Sequence, residues 1–136
     1  MLRGMTKFMR GLLRMPLWVK AWLGLLMLFN GIIPMFFLSL VEAQIVLATF
    51  IASALLMGAI TGAAGLTRLL GLGHVLWFGL LPYLWGRLEA FDAGSPEGVW
   101  LHGLIALNLI SLILDVVDVA CYARGERAEV VTGLDA

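Results

Sequence analysis

The sequence predicts an all-α integral membrane protein, a four-helix bundle preceded by an N-terminal interfacial amphipathic helix. Hydrophobic residues make up 62% of its 136 residues and charged residues 13%, against roughly 45–50% and 25% in soluble domains. The apolar residues are concentrated in four uncharged runs of 21, 25, 18 and 17 residues, Ala21–Val41, Ala43–Thr67, Leu69–Gly86 and Gly98–Leu114. Each run is close to the roughly 20 residues with which one helix crosses a bilayer.

The composition excludes several classes of function. The formal net charge is zero, so no basic excess favours a nucleic-acid partner. The single cysteine, Cys121, can form neither an internal disulfide nor a cysteine-based metal cluster. Four crossings use most of the chain and leave no room for a soluble catalytic domain. We expect an interfacial helix over residues 1–16, the bundle over 17–124 and a short cytoplasmic tail over 125–136.

The first sixteen residues contain no acid and have a basic face on a helical projection. Apolar side chains occupy the opposite side, a pattern typical of a helix that lies in the membrane surface with its cations toward anionic headgroups. A partner-docking helix and a mitochondrial targeting peptide are the alternatives. The residues of the predicted membrane-surface basic face are Arg3, Lys7, Arg10 and Arg14.

Crossing 1 is predicted over residues 17–40, with Trp18 and Trp22 at its inner interface. Asn30 lies in mid-membrane, where an amide side chain is expected to hydrogen-bond across to a neighbouring helix. A cleaved signal peptide ending near 41–43 is an alternative, although the apolar region is long for that role and Pro34 interrupts it.

Crossing 2 is predicted over residues 43–65 and carries small residues at four-residue spacing. Ala54, Gly58 and Gly62 form a helix-packing ridge that permits close approach of another helix. Such a ridge predicts packing within the chain, and a homodimer contact is the alternative.

Crossing 3, over residues 69–86, is the weakest of the four helices. It contains four residues that destabilise or kink a helix, so a re-entrant hairpin is an alternative to a full span. These residues are Gly71, Gly73, Gly79 and Pro82.

The distribution of lysine and arginine predicts the topology. With four crossings and both termini in the cytoplasm, eight cations lie inside and only Arg87 lies outside, the expected asymmetry. If crossing 3 did not span, the count would be seven against two. The chain is therefore expected in a bacterial inner membrane as a multi-pass protein, although an organellar membrane would give the same pattern.

Crossing 4, over residues 96–124, has clear ends and one polar side. Ser95 is a suitable N-cap, Pro96 suits the first helical position, and Gly125 suits the left-handed C′ position. At 100° per residue, four polar side chains share one sector of the helix. This polar line, the candidate functional feature of the chain, consists of Asn108, Ser111, Asp115 and Asp118.

Ionisable groups in a membrane are costly and suggest function, but the two aspartates lie near the inner edge of the hydrocarbon. The structural interpretation is that they pair with arginines near the same surface. Proton or cation movement and docking of a partner helix are the alternatives. Asn108, which is nearer mid-membrane, is expected to bond Asn30 or a backbone carbonyl. The expected arginine partners of the aspartates are Arg10, Arg14, Arg124 and Arg127.

No catalytic, cofactor or metal site is predicted. The sequence contains no metalloprotease, nucleophile-elbow, P-loop or dinucleotide motif. His74 and His102 are expected at opposite membrane surfaces, roughly 20 Å or more apart on the thickness of a bilayer, so they cannot ligate one haem iron.

Three functions are compatible with these patterns. The first is a non-catalytic accessory or assembly subunit that binds another membrane protein. The second is a small oligomeric transporter or channel that uses the polar line. The third is a membrane enzyme acting on lipid or quinone. The bilayer is the expected partner in every case, with another membrane protein or a second copy of the chain in the first two.

Overall fold

The computed structural model describes residues 2–128, and this part of the chain is helical, without a strand. The predicted all-α fold class is confirmed. Residues 129–136, which include most of the predicted tail, lie outside the described residues. The five α-helices are α1 (Leu2–Leu13), α2 (Leu17–Met27), α3 (Val41–Ala64), α4 (Trp77–Arg87) and α5 (Pro96–Ala123). A π turn over Leu28–Ile32 and a 3-10 turn over Ile33–Phe37 continue α2, and a 3-10 turn over Leu88–Ala90 continues α4. A 3-10 segment over Arg68–His74 lies between α3 and α4.

Three continuous helical stretches are long and apolar enough to cross a membrane. They are Leu17–Phe37, Val41–Ala64 and Pro96–Ala123. A fourth span exists if Arg68–His74 and Trp77–Ala90, which are bent by 42° relative to each other, count as one. The described part of the chain thus has three candidate membrane spans, or four if the bent pair, called here the broken span, is counted as one.

The distortion of the first span has a local cause. In the π turn the N–H of Ile33 donates to the carbonyl of Leu28, five residues earlier. The next donor in that register would be residue 34, a proline without an N–H group. The carbonyl of Phe29 is thereby left without its helical donor, and the indole Nε1–H of Trp100 donates to it at 2.8 Å. A side chain of α5 therefore satisfies a backbone carbonyl of the distorted first span.

The predicted ends of the last span are confirmed. The Ser95 hydroxyl accepts a hydrogen bond from the backbone N–H of Gly98 at 3.0 Å, and Pro96 is the first helical residue. Gly125 follows the helix with a φ of 108°, a conformation that glycine adopts without steric cost.

The apolar core lies around the N-terminal half of α5. Ala43 of α3, Leu84 of α4, and Leu101 and Leu104 of α5 are completely buried there. We call this region the Leu101 end. It is closed by a salt bridge in which Arg87 Nε lies 2.7 Å from Glu42 Oε1.

The opposite region, called here the Asp115 end, is packed through backbones. A Cβ atom on Gly71 would lie 2.7 Å from the carbonyl oxygen of Asp115, and one on Gly73 would collide with the side chain of Met57. The Arg68–His74 segment is therefore wedged between α3 and α5. It follows a 3-10 path, which is in line with the weak, kinked helix predicted for crossing 3, because glycine has little intrinsic helical preference.

The N-terminal helix α1 packs against the last turns of α3. Gly4 lies against Gly58 and Gly62, and Gly11 lies against Leu66. The residue numbers at these contacts increase along both segments, so α1 runs parallel to the end of α3. The packing ridge of α3 is therefore in contact with the chain's own N-terminal helix, through glycines that lie between the basic and apolar faces of α1.

Candidate functional site

The polar line of α5 is divided between two neighbours. Asn108 and Ser111 bond to α2, whereas Asp115 and Asp118 bond to the Arg68–His74 segment. Each of the four side chains thus has its own partner on another element. Polar groups inside a bilayer need such partners because no water is present to bond them.

Asn30 and Asn108 form a reciprocal pair in the middle of the bundle. The Nδ2 group of each amide donates to the Oδ1 atom of the other, and both distances are 2.9 Å. Asn30 Nδ2 also donates to the carbonyl of Leu26 at 2.9 Å. Both side chains are buried. The pair joins α2 to α5 in the middle of the bundle, and both Oδ1 atoms accept a hydrogen bond within the protein.

Ser111 continues the contact with the first span. Its hydroxyl oxygen accepts a hydrogen bond from Nε1 of Trp22 at 3.1 Å. The indole N–H of Trp22 is thus turned toward the neighbouring helix α5. Through this bond the Ser111 hydroxyl helps to hold α5 against α2.

Asp115 pairs with His74, whose Nδ1 atom lies 2.7 Å from Oδ2 of the carboxylate. When the carboxylate is ionised it can only accept, and Nδ1 of His74 is then the donor of this hydrogen bond. The side chains retain 13% and 18% of their exposure. The indole of Trp77 stacks on the imidazole, with ring centroids 3.8 Å apart and an angle of 11° between the planes. The histidine is thus held between a carboxylate and an aromatic face.

Asp118 pairs with Arg68, whose Nη1 atom lies 3.2 Å from Oδ1. The Nε atom of the same guanidinium lies 3.7 Å from Oε2 of Glu126. These side chains are much more exposed than the His74–Asp115 pair. Arg68 therefore joins the start of the 3-10 segment to the end of α5 and to the residues that follow it.

The expected partners of the two aspartates are corrected by these contacts. Asp115 and Asp118 bond to His74 and Arg68, and not, within the described residues, to the arginines that the sequence suggested, Arg10, Arg14, Arg124 and Arg127. The physical reason is the 3-10 segment, whose glycine brings its backbone onto α5 at Asp115. Neighbouring positions then carry the two polar side chains directly to the aspartates.

The Glu42–Arg87 pair is a site that sequence reasoning missed. Glu42 is 4% exposed, and its carboxylate is held by a guanidinium that is itself half-exposed. The predicted topology places these two oppositely charged residues near the same membrane surface, and the pair could have been predicted from that.

Side chains of the types that ligate metals are dispersed over the described residues. Among residues 2–128 no three His, Cys, Asp or Glu side chains are grouped so as to hold a metal ion. His102 bonds through Nδ1 to the carbonyl of Gly98 at 2.8 Å. It lies 13 residues before Asp115 on the same helix, which is roughly 20 Å along the axis, so it does not share a site with His74.

A groove between α3 and α4 is a further feature of the lipid-facing surface. Its volume is about 450 Å³, and Ala48, Ala52 and Gly79 are among the residues that line it. A Cβ atom on Gly79 would have no atom within 4 Å, so nothing in the described chain fills this position. Unlike the ridge through Gly58, the groove has no helix of the described chain packed into it.

Comparisons with protein-family models, with curated proteins and with solved structures give no match to this chain. The functional argument consequently depends on the geometry described above.

Proposed function

We propose that this protein is a small non-catalytic membrane protein that acts as an accessory or assembly subunit, by holding a transmembrane helix of another membrane protein in the groove between α3 and α4. The proposed location is a bacterial inner membrane, with both termini in the cytoplasm.

The observation that carries the proposal is the unfilled groove with small residues in its wall. Helices in a bilayer associate through close van der Waals contact, and alanine and glycine allow their backbones to approach. Ala48 and Ala52 are one turn apart on α3, and Gly79 faces them from α4. The larger apolar side chains of a partner helix would make closer van der Waals contact with the groove than lipid chains do.

The use of the polar groups supports a non-catalytic role. A catalytic or conducting site needs at least one polar atom that can reach a substrate or ion, although its other polar atoms are commonly bonded within the protein. All four members of the polar line are instead bonded to side chains of the same protein, two to α2 and two to the Arg68–His74 segment.

The position of the charges supports the proposed orientation. Arg68 and the glycines that bind α1 belong to the same end of the bundle, whereas the Glu42–Arg87 pair closes the other end. This arrangement agrees with an inner surface that carries the basic residues of α1 and an outer surface that carries Arg87.

Native mass spectrometry of the protein extracted gently from its own membrane tests the proposal. We expect a stoichiometric foreign subunit with the wild-type chain and its loss with Gly79→Leu, which fills the groove. Gly24→Leu is the matched control, because a Cβ atom on Gly24 of α2 also meets no atom within 4 Å. A wild-type protein that emerges only as a monomer or homo-oligomer would contradict the proposal.

A further inference from the structure

A second groove lies between α4 and α5, and only apolar and aromatic residues line it. Its volume is about 420 Å³, within the range of roughly 300–1,000 Å³ that small-molecule sites occupy. Some of its lining side chains, such as those of Phe78 and Ile113, are more than half exposed, so the groove opens on the lipid-facing surface. Its walls include Phe78 and Pro82 of α4, and Leu109, Ile113, Val116 and Val117 of α5.

The lining of this groove is unsuited to a second helix. Close packing of transmembrane helices depends on small residues that let the backbones approach, as Ala48, Ala52 and Gly79 do in the groove between α3 and α4. None of the described residues that line the groove between α4 and α5 is a glycine, alanine, serine or threonine. A flexible acyl chain, by contrast, can follow an uneven wall of branched and aromatic side chains. The shape of the wall therefore favours a lipid tail.

The face of α5 that lines the groove leads to a cation at the end of the helix. On a projection at 100° per residue, the four lining residues of α5 named above share a sector of roughly 100° with Ala120 and Arg124. Leu109 and Val117 precede Arg124 by 15 and 7 residues, which is roughly 23 and 10 Å along the axis. The tails and headgroups of one leaflet together span roughly 20 Å. The groove thus covers the depth of the tails, with Arg124 at the level of the headgroups.

The described charges near this end of α5 leave Arg124 to an anion. Arg124 is exposed, and no carboxylate within residues 2–128 pairs with it, since Asp118 and Glu126 both lie against Arg68. The cations of α1 stand on a helix that packs against α3, and none of the residues that line this groove belongs to α3. Of the described cations, Arg124 is therefore the one placed to meet the headgroup of a lipid whose tail lies in the groove.

From this geometry we propose that the groove between α4 and α5 binds one anionic phospholipid of the leaflet in which α5 ends. One acyl chain lies in the groove, and the phosphate meets the guanidinium of Arg124. Basic side chains beside transmembrane helices bind anionic headgroups in this way, and a guanidinium matches phosphate with two parallel hydrogen bonds. This inference depends neither on the partner groove between α3 and α4 nor on which membrane surface faces the cytoplasm.

Native mass spectrometry of the full chain in mild-detergent micelles measures the headgroup preference. The protein is titrated with phosphatidylglycerol or with phosphatidylcholine of the same acyl chains, and the fraction that carries one lipid is recorded. We expect saturable binding of one phosphatidylglycerol. In Arg124→Gln this binding should weaken by about fivefold, the usual contribution of one basic side chain near anionic lipid, and fall to the level of phosphatidylcholine. Arg124→Lys, which keeps the charge, should retain the preference.

Arg127→Gln is the matched control for the headgroup. It removes the same charge from the same end of the chain, but the guanidinium of Arg127 lies over the ring of Tyr122, 4.9 Å from its centroid. On the helical projection Tyr122 is on the side of α5 opposite the groove. Arg127→Gln should therefore bind phosphatidylglycerol as the wild type does. Equal loss in Arg124→Gln and Arg127→Gln, or no loss in Arg124→Gln, would overturn the proposed headgroup contact.

Val116→Trp tests the position of the tail. The indole fills the groove, so saturable binding of either lipid should be lost. Val99→Trp is the matched control, because Val99 is 58% exposed on the same helix and does not line the groove. Lipid binding that persists in Val116→Trp would overturn the proposal. A foreign subunit that is lost with Val116→Trp while lipid binding persists would assign the groove to a partner helix instead.

Discussion

The two ends of the bundle are held together by different means. At the Leu101 end, apolar side chains are fully buried between α3, α4 and α5, and one buried carboxylate is paired with Arg87. At the Asp115 end, backbones meet at glycines, and polar pairs join an irregular segment to α5. The comparison teaches that the regular helices are joined mainly by buried apolar side chains, with one ion pair at their end, whereas the glycine-rich segment is joined to α5 by close backbone contact and by charged side chains.

The largest effect is expected from a core truncation at the Leu101 end. Leu101→Ala removes a completely buried side chain and should lower the free energy of unfolding by about 2–5 kcal/mol, the usual range for such a cavity. Unfolding by denaturing detergent in mixed micelles measures it. Ile113→Ala is the control, since Ile113 is 58% exposed and should change stability far less. Equal losses of unfolding free energy in the two variants would show that the Leu101 end is not the core of the protein.

A smaller effect is expected where backbones meet at the Asp115 end. Gly71→Ala places a methyl group 2.7 Å from the Asp115 carbonyl, which forces the Arg68–His74 segment away and should cost about 1–3 kcal/mol. The same unfolding experiment applies. Gly86→Ala, where the added Cβ atom meets nothing within 4 Å, serves as the control. A stability of Gly71→Ala equal to that of the wild type would show that the close contact is absent.

The amide pair between the two ends should contribute less. A double-mutant cycle with Asn30→Ala and Asn108→Ala measures the coupling of the two side chains, expected at about 0.6–1.7 kcal/mol, the range found for hydrogen bonds between transmembrane helices. A coupling near zero would mean that the two amides do not bond to each other in the membrane.

The smallest effect is expected at the exposed ion pair. Arg68→Gln breaks contacts whose side chains are 39% and 44% exposed, so solvent and salt screen them. The loss should stay below about 1 kcal/mol and shrink as salt is added. Unfolding at low and high ionic strength measures it. A loss as large as that of Gly71→Ala would make Arg68, rather than the buried histidine pair, the main fastening of this end.

Much of the fold could be predicted from the sequence because the physics is local. Uncharged runs mark the helices, and Ser95 and Gly125 mark the ends of α5. The bond between Asn30 and Asn108 could also be anticipated, since buried amides in a membrane must find each other or a carbonyl. The length of an apolar run, and the need of a buried amide for a hydrogen-bond partner, can both be deduced from the sequence alone.

The rest depends on how elements meet in space. The partners of Asp115 and Asp118 could not be predicted from the sequence. Any arginine near the same membrane surface would pair with an aspartate as well as His74 or Arg68 does, and only the position of the Arg68–His74 segment decides between them. The docking of α1 is a similar case. Its contacts with α3 combine Gly4, which belongs to neither of the two faces that give that helix its pattern, with Met5 of the apolar face.

The broken span also has a consequence for biosynthesis. His74 and Arg68 find their partners 41 and 50 residues later in the chain. While the ribosome delivers the chain from its N-terminus, the weak third segment therefore reaches the insertion machinery before the helix that stabilises it. We expect the third and fourth segments to enter the bilayer together as a hairpin. A chain truncated before Asp115 would accordingly stall with its third segment outside the lipid.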